Sequence, residues 1–306
     1  MSLDVNFLDL SLKNPLVLAS GILGTSHSLM ARCALEGAGG ITSKSCGPEP
    51  RVGHGNPVAL AWDGSVINAI GLTNPGAEEE VPLLREAKKR LSAMGVPLFA
   101  SIFAPTVEGF GEVAWVISEA EPDLIEVNIS CPNVHSEFGI PFSASAESAA
   151  AVTREVRRAV SLPISIKLAP NVPNIGEIAH AAAEEGADAI TAVNTMPAML
   201  IDAHAGKPVL RNRAGGLSGP ALKPVALRCV AEIASRVSLP IIGTGGVTNG
   251  LDAAEMIMAG ASLVGVGSAV WRDGPGVFGR IGGELKAFMV QEGYSRIEEM
   301  QGKAIR

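Results

Sequence analysis

The segment NISCPN, residues 128–133, places Cys131 between two asparagines and beside a proline, just where an apolar run ends. A cysteine in such a setting can act as a nucleophile, a metal ligand or a base. No His–Asp pattern and no partner ligands lie nearby in the chain, which weakens the triad and metal readings. A base is the chemistry left: a thiol, ordinarily titrating at about 8.5, facing a substrate carbon. The plainer account is a packing residue. Around it in the pattern stand four amides at the ends of apolar runs, Asn68, Asn128, Asn133 and Asn194, with Thr195 next to the last. Each amide brings two donors and an acceptor. Together they suit a planar, uncharged ring edged with alternating N–H and C=O groups, although turn and cap chemistry accounts for any single one.

Two lysines also close apolar runs, Lys44 in TSKS and Lys167 in SIKLAP. A lysine flanked by apolar residues is costly to bury unless it meets an anion. It can face the electron-rich edge of a flavin and stabilise negative charge on the reduced ring, or it can pair with a glutamate such as Glu126. GTGG (243–246) and GVGS (265–268) each end an apolar run and open a helical pattern. Paired glycine-rich turns of this kind cradle a phosphate with backbone N–H groups. They can also merely relieve crowding, and they do not name the ligand. Cys33 and Cys229 fall in helical patterns and read as core; Cys46 reads as structural.

These residues need a scaffold that gathers strand ends. Eight short apolar segments recur: PLVLAS (15–20), GGITSKSC (39–46), PLFASIF (97–103), DLIEVNIS (123–130), PISIKLAP (163–170), AITAVNT (189–195), PIIGTGGV (240–247) and LVGVGSAV (263–270). Continuous apolar runs are the mark of parallel strands buried on both faces. Amphipathic stretches lie between them, such as EEVPLLREAKKRLSAMG and KPVALRCVAEIASRVS. Eight strand–helix units close into an α/β fold, a (β/α)8 TIM barrel. The doubly wound sheet is the alternative, but no GxGxxG follows the first strand. Residues 47–78 and 196–219 are too long for plain connections and belong on the C-terminal face, where barrels build active sites. With no linker, repeat or low-complexity segment, residues 1–306 read as one domain.

Bulk properties narrow the function classes. The 306 residues are 47% hydrophobic and carry a net charge of −7, so neither a nucleic-acid face nor a polybasic membrane patch is expected. No apolar run reaches the ~18 residues of a spanning helix, and the acidic N-terminal segment is no secretory signal. Four cysteines without a CxxC pair or metal spacing predict no metal site and a reduced, cytoplasmic setting.

In order and spacing, LASGILG, TSKS, NAIGLTNPG, EVNISCPN, IKLAP, VNT, GGLSGPALKPVAL, IIGTGGV and GVGSAV resemble the dihydroorotate dehydrogenases, flavin enzymes of pyrimidine synthesis, over nearly the whole chain. The resemblance implies an FMN-binding (β/α)8 barrel that oxidises dihydroorotate to orotate. It puts FMN contacts on Ser20, Lys44, Ser45, Asn128, Lys167, Val193, Gly219, Gly245, Gly246, Gly267 and Ser268. Many relatives carry an FMN-touching asparagine where this chain has Ser101, so that contact is carried over weakly. Substrate contacts fall on Lys44, Asn68, Ala69, Ile70, Gly71, Leu72, Asn128, Asn194 and Thr195, joined by Asn133, and Cys131 takes the position of the base. It would remove a proton from C5 while hydride leaves C6 for the flavin.

The cysteine base, and a first strand near residue 15 with no helical extension before it, set the chain apart from the membrane-bound quinone-using class. GLTNPG and GGLSGPALKPVAL look like the NAD-linked class, whose catalytic subunit joins an electron-transfer subunit carrying FAD and a [2Fe–2S] cluster in a heterotetramer of two of each. This chain has no four-cysteine cluster and no dinucleotide fingerprint of its own. The alternatives are a fumarate-dependent homodimer, a dihydropyrimidine dehydrogenase-like reductase, a phosphosugar isomerase or synthase barrel, and a flavin-free binding barrel.

Overall fold

The structure, a computed structural model, describes residues 2–130 and 142–306. Two short strands, β1 (Val5–Phe7) and β2 (Leu10–Leu12), form an antiparallel hairpin that sets Phe7 against Phe99, ring centroids 6.2 Å apart. Eight further strands run parallel and close into a barrel. In chain order they are β3 (Leu16–Leu18), β4 (Gly40–Thr42), β7 (Leu98–Ile102), β8 (Leu124–Asn128), β9 (Ile164–Leu168), β10 (Ala189–Ala192), β15 (Ile241–Thr244) and β16 (Leu263–Val266). Each pairs with the next, and β16 returns to β3 through Val264–Leu16 and Val266–Leu18. Every one of the eight apolar segments therefore supplies a barrel strand. They do so because both faces are covered, by helices outside and by the barrel interior within, so alternation is lost and continuous apolar runs are favoured.

The helices include α1 (His27–Leu35), α2 (Ala77–Ser92), α3 (Val107–Ser118), α4 (Ala146–Ala159), α5 (Ile175–Glu184), α6 (Lys223–Ala234), α7 (Gly250–Met258), α8 (Ser268–Asp273) and α9 (Val277–Glu292). Several begin at a side-chain cap that satisfies an orphan amide. Ser26, Thr106, Ser145 and Asn249 each accept a hydrogen bond from the N–H three residues on. Their apolar faces lie on the strands and build one continuous core.

The two long connections meet each other. In the first, β5 (Ala59–Trp62) and β6 (Ser65–Asn68) form a hairpin around Asp63 and Gly64, both at positive φ, as the favoured two-residue turn requires. In the second, β11 (Met196–Ala198) and β14 (Gly215–Ser218) pair antiparallel, with the short antiparallel pair β12 (Ile201–Asp202) and β13 (Lys207–Pro208) between them in the chain. Strand β14 also adds to β6 through Gly216–Asn68 and Ser218–Val66. A four-stranded sheet in the order β11-β14-β6-β5 results, joining segments about 150 residues apart in the chain, far beyond the reach of local sequence patterns.

Candidate active site

The C-terminal ends of the barrel strands and the four-stranded sheet enclose a cavity of about 250 Å³. It is lined by Ser20 beyond β3, Lys44 and Ser45 beyond β4, Asn128 at the end of β8 and Lys167 on β9. Val193, Asn194 and Thr195 beyond β10 join them, with Gly219 beyond β14, Gly245 and Gly246 beyond β15, and Gly267 and Ser268 beyond β16. From the hairpin side come Asn68, Ile70, Gly71 and Leu72. Residues scattered over 250 positions thus converge because parallel strands all end on one rim.

Two expected residues stand elsewhere. Ala69 is fully buried with Ile67 and Leu210 in a small core beneath the added sheet; strand alternation turns it away from the cavity while Asn68 faces it. Ser101, 1% exposed, does not line the cavity. It sits behind the rim, its hydroxyl 2.8 Å from Ser45 Oγ and donating to Glu126 Oε1 at 3.0 Å. Cys131 and Asn133 lie outside the described residues.

The polar side chains hold one another in place. Lys167 Nζ donates to Glu126 Oε1 at 3.1 Å, with the side chains 7% and 3% exposed. The two readings of this lysine are therefore compatible: it pairs with Glu126 and still reaches the cavity. Asn128 Nδ2 donates to Ser45 Oγ, which lies 3.3 Å from Ser20 Oγ. Asn194 Nδ2 donates to Asn128 Oδ1, Ser130 O and Ser130 Oγ, and its own Oδ1 accepts from the Thr195 N–H. Amides with their rotamers tied in this way present a preorganised edge to a planar ligand.

Close backbone approach explains two of the glycines. A Cβ on Gly24 would lie 2.7 Å from Lys44 N, and the Lys44 N–H donates to Gly24 O, so this glycine seats the lysine. Gly246, at φ +77°, has no room either: its Cβ would meet Lys223 Cβ at 2.6 Å and Gly219 O at 2.8 Å. The N–H groups of Gly245, Gly246 and Gly267 make no hydrogen bond to any described residue, which leaves donors at the rim for an anion. Lys223 braces this corner through Asp252 (2.6 Å) and Glu255 (2.7 Å). Asp252 Oδ2 in turn accepts from the Thr248 N–H and hydroxyl. Burial alone would raise the Asp252 carboxyl; Lys223 and Thr248 outweigh it and hold the group below the ordinary carboxylate range.

Three of the four cysteines are packing residues, as expected. Cys33, Cys46 and Cys229 are buried, and burial raises all three thiols, that of Cys33 to about 11. They are protonated packing residues at neutral pH. Among the described residues no group of three or more His, Cys, Asp or Glu is placed to hold a metal. Nor is any helix among them long and apolar enough to cross a membrane. Trp271 went unnoticed in the sequence: it lies three residues beyond Ser268 on α8, lines the cavity and is 48% exposed. Helical spacing from the GVGS turn is the signal that points to it.

The model of the family described as dihydroorotate dehydrogenase matches residues 2–289. The chain belongs to that family. A Methanosarcina mazei protein named dihydroorotate dehydrogenase B (NAD(+)), catalytic subunit, is 45% identical over 296 residues, 96% of this chain and 93% of the relative. Proteins of the same name are 42% identical in Methanothermobacter thermautotrophicus and 40% in Pyrococcus abyssi, covering 99% of this chain and 98% and 99% of theirs. For an FMN-binding member of the family, the donor set fits. Free N–H groups at glycine turns suit the phosphate, and a buried lysine beside amides and hydroxyls suits the pyrimidine edge of the ring.

Proposed function

We propose that this chain is the FMN-binding catalytic subunit of an NAD-linked dihydroorotate dehydrogenase, oxidising (S)-dihydroorotate to orotate in pyrimidine synthesis. The observation that carries the reading is the convergence of Lys44, Asn68, Asn128, Lys167, Asn194 and Thr195 with the two glycine turns on one cavity, in a chain of this family. When bound, FMN supplies the hydride acceptor for C6 of the substrate. Asn68, Asn128, Asn194 and Thr195 bind and orient the ring, and Lys44 holds the substrate carboxylate. Lys167 brings positive charge to the flavin edge. Cys131 takes the proton from C5, a role supported by its place in NISCPN.

Electrons then leave for a partner subunit with FAD and a [2Fe–2S] cluster, two copies of each subunit assembling in the cytoplasm. The name shared by the relatives, a catalytic subunit of an NAD(+) enzyme, supports a separate partner subunit and NAD as the acceptor. The test is anaerobic titration of the purified yellow protein with dihydroorotate. Bleaching of the flavin with formation of orotate is expected, with negligible NAD reduction until the partner is added. Colourless protein, or flavin that dihydroorotate leaves oxidised, overturns the reading; rapid turnover with fumarate instead assigns the homodimeric class.

A further inference from the structure

Glu126 is charged, 3% exposed and absent from the cavity wall, yet it lies one side chain behind it. Its Oε1 accepts from Lys167 Nζ at 3.1 Å and from Ser101 Oγ at 3.0 Å. Strand register makes the arrangement rigid. On β7–β8, Ser101 stands opposite Glu126; on β8–β9, Asn128 stands opposite Lys167. Ser101 is itself held twice, by Ser45 Oγ at 2.8 Å and through its N–H by Ser43 Oγ at 3.1 Å. A buried ion pair contributes little net stability compared with apolar residues of similar volume, while breaking one partner away is costly. Stability alone is therefore a weak reason for this pair, and Lys167 is the member of it that lines the cavity.

We infer that Glu126 is a positioning residue that acts through Lys167 to set how strongly the site favours reduced over oxidised flavin. The inference rests on the FMN reading above. Lys167 alone would present a full positive charge to the ring and favour its anionic reduced form. With Glu126 hydrogen-bonded behind it, the pair is neutral at a distance, and the ring feels a dipole instead of a charge. Ser101 Oγ donates to the carboxylate and so holds it in place behind Lys167. This account also gives Ser101 a place: it serves the counter-ion and leaves the cavity wall to Ser45 and Asn128.

The experiment is a spectroscopic redox titration of bound FMN in wild type, Glu126→Gln and Glu126→Asp. Removing the counter-charge should favour binding of reduced over oxidised FMN by about tenfold, a rise of about 30 mV for the two-electron couple. Glu126→Asp keeps the charge but withdraws it by one methylene; a smaller rise, about threefold or about 14 mV, is expected and carries the test if the glutamine variant does not fold. A purely structural role would lower thermal stability and flavin content while leaving the potential of the remaining bound FMN unchanged, and that result overturns the inference. So does a lowered potential. Wild-type protein that binds no FMN overturns both the inference and the reading beneath it, whereas yellow wild type with an unmoved potential in the variants overturns the inference alone.

Discussion

Glu80 lies in the first turn of α2, 3% exposed, and its Oε1 has no hydrogen-bond partner among the described residues. Burial raises its carboxyl from 4.5 to about 7, with Lys44 pulling more weakly the other way. The folded protein therefore holds a proton that the unfolded chain releases above about pH 4.5. Because the native state binds more protons in that window, stability falls as pH rises from about 4.5 to about 7 and levels off above. At about 1.4 kcal/mol for each tenfold difference in proton affinity, the loss amounts to about 3 kcal/mol. Glu80→Gln removes the titration while keeping the shape. Its stability relative to wild type should rise by up to about 3 kcal/mol between pH 4.5 and 8, whatever constant offset the amide introduces. The Cys46 thiol also senses Glu80, but burial raises it too far to ionise in this range. Denaturant unfolding of the ligand-free protein at half-unit pH steps measures the difference. Parallel curves for the two proteins would refute the argument, because a carboxyl that ionises normally inside the fold leaves no pH-dependent gap.

Gly246→Val forces a side chain into a space where the first carbon already lies 2.6 Å from Lys223 Cβ, at a φ that β-branched residues avoid; colourless or insoluble protein is expected, and full FMN content would count against the placement of the phosphate. Lys167→Ala should lower the flavin's potential or its occupancy, since a nearby positive charge favours the anionic reduced ring, and wild-type values of both would remove the assignment. Cys131→Ser should keep FMN and orotate binding but slow flavin reduction by dihydroorotate about 10²–10⁴-fold, the usual contribution of a general base. In wild type the same half-reaction should quicken as pH approaches the thiol's pKa; stopped-flow bleaching across pH reads both, and a serine variant of undiminished speed places the base elsewhere.

By itself the sequence determined the eight barrel strands, because a strand covered on both faces must be apolar throughout and its ends must carry turn residues. It also determined the glycine turns at 243–246 and 265–268, the lysines at 44 and 167 and the amides at 68, 128 and 194, since residues at strand ends share one rim in any parallel barrel. Only the tertiary structure decided which neighbours those side chains have. Lys167 meets Glu126, and Ser101 turns from the cavity to the carboxylate, through register between β7, β8 and β9, which no local pattern specifies. Ala69 and Asn68 differ in facing by the two-residue period of a strand, which is readable only once that strand's boundaries are known. The pairing of β6 with β14 closes one side of the cavity with segments from opposite halves of the chain. Glu80 carries no motif; its raised carboxyl arises from burial, which is a property of packing in three dimensions.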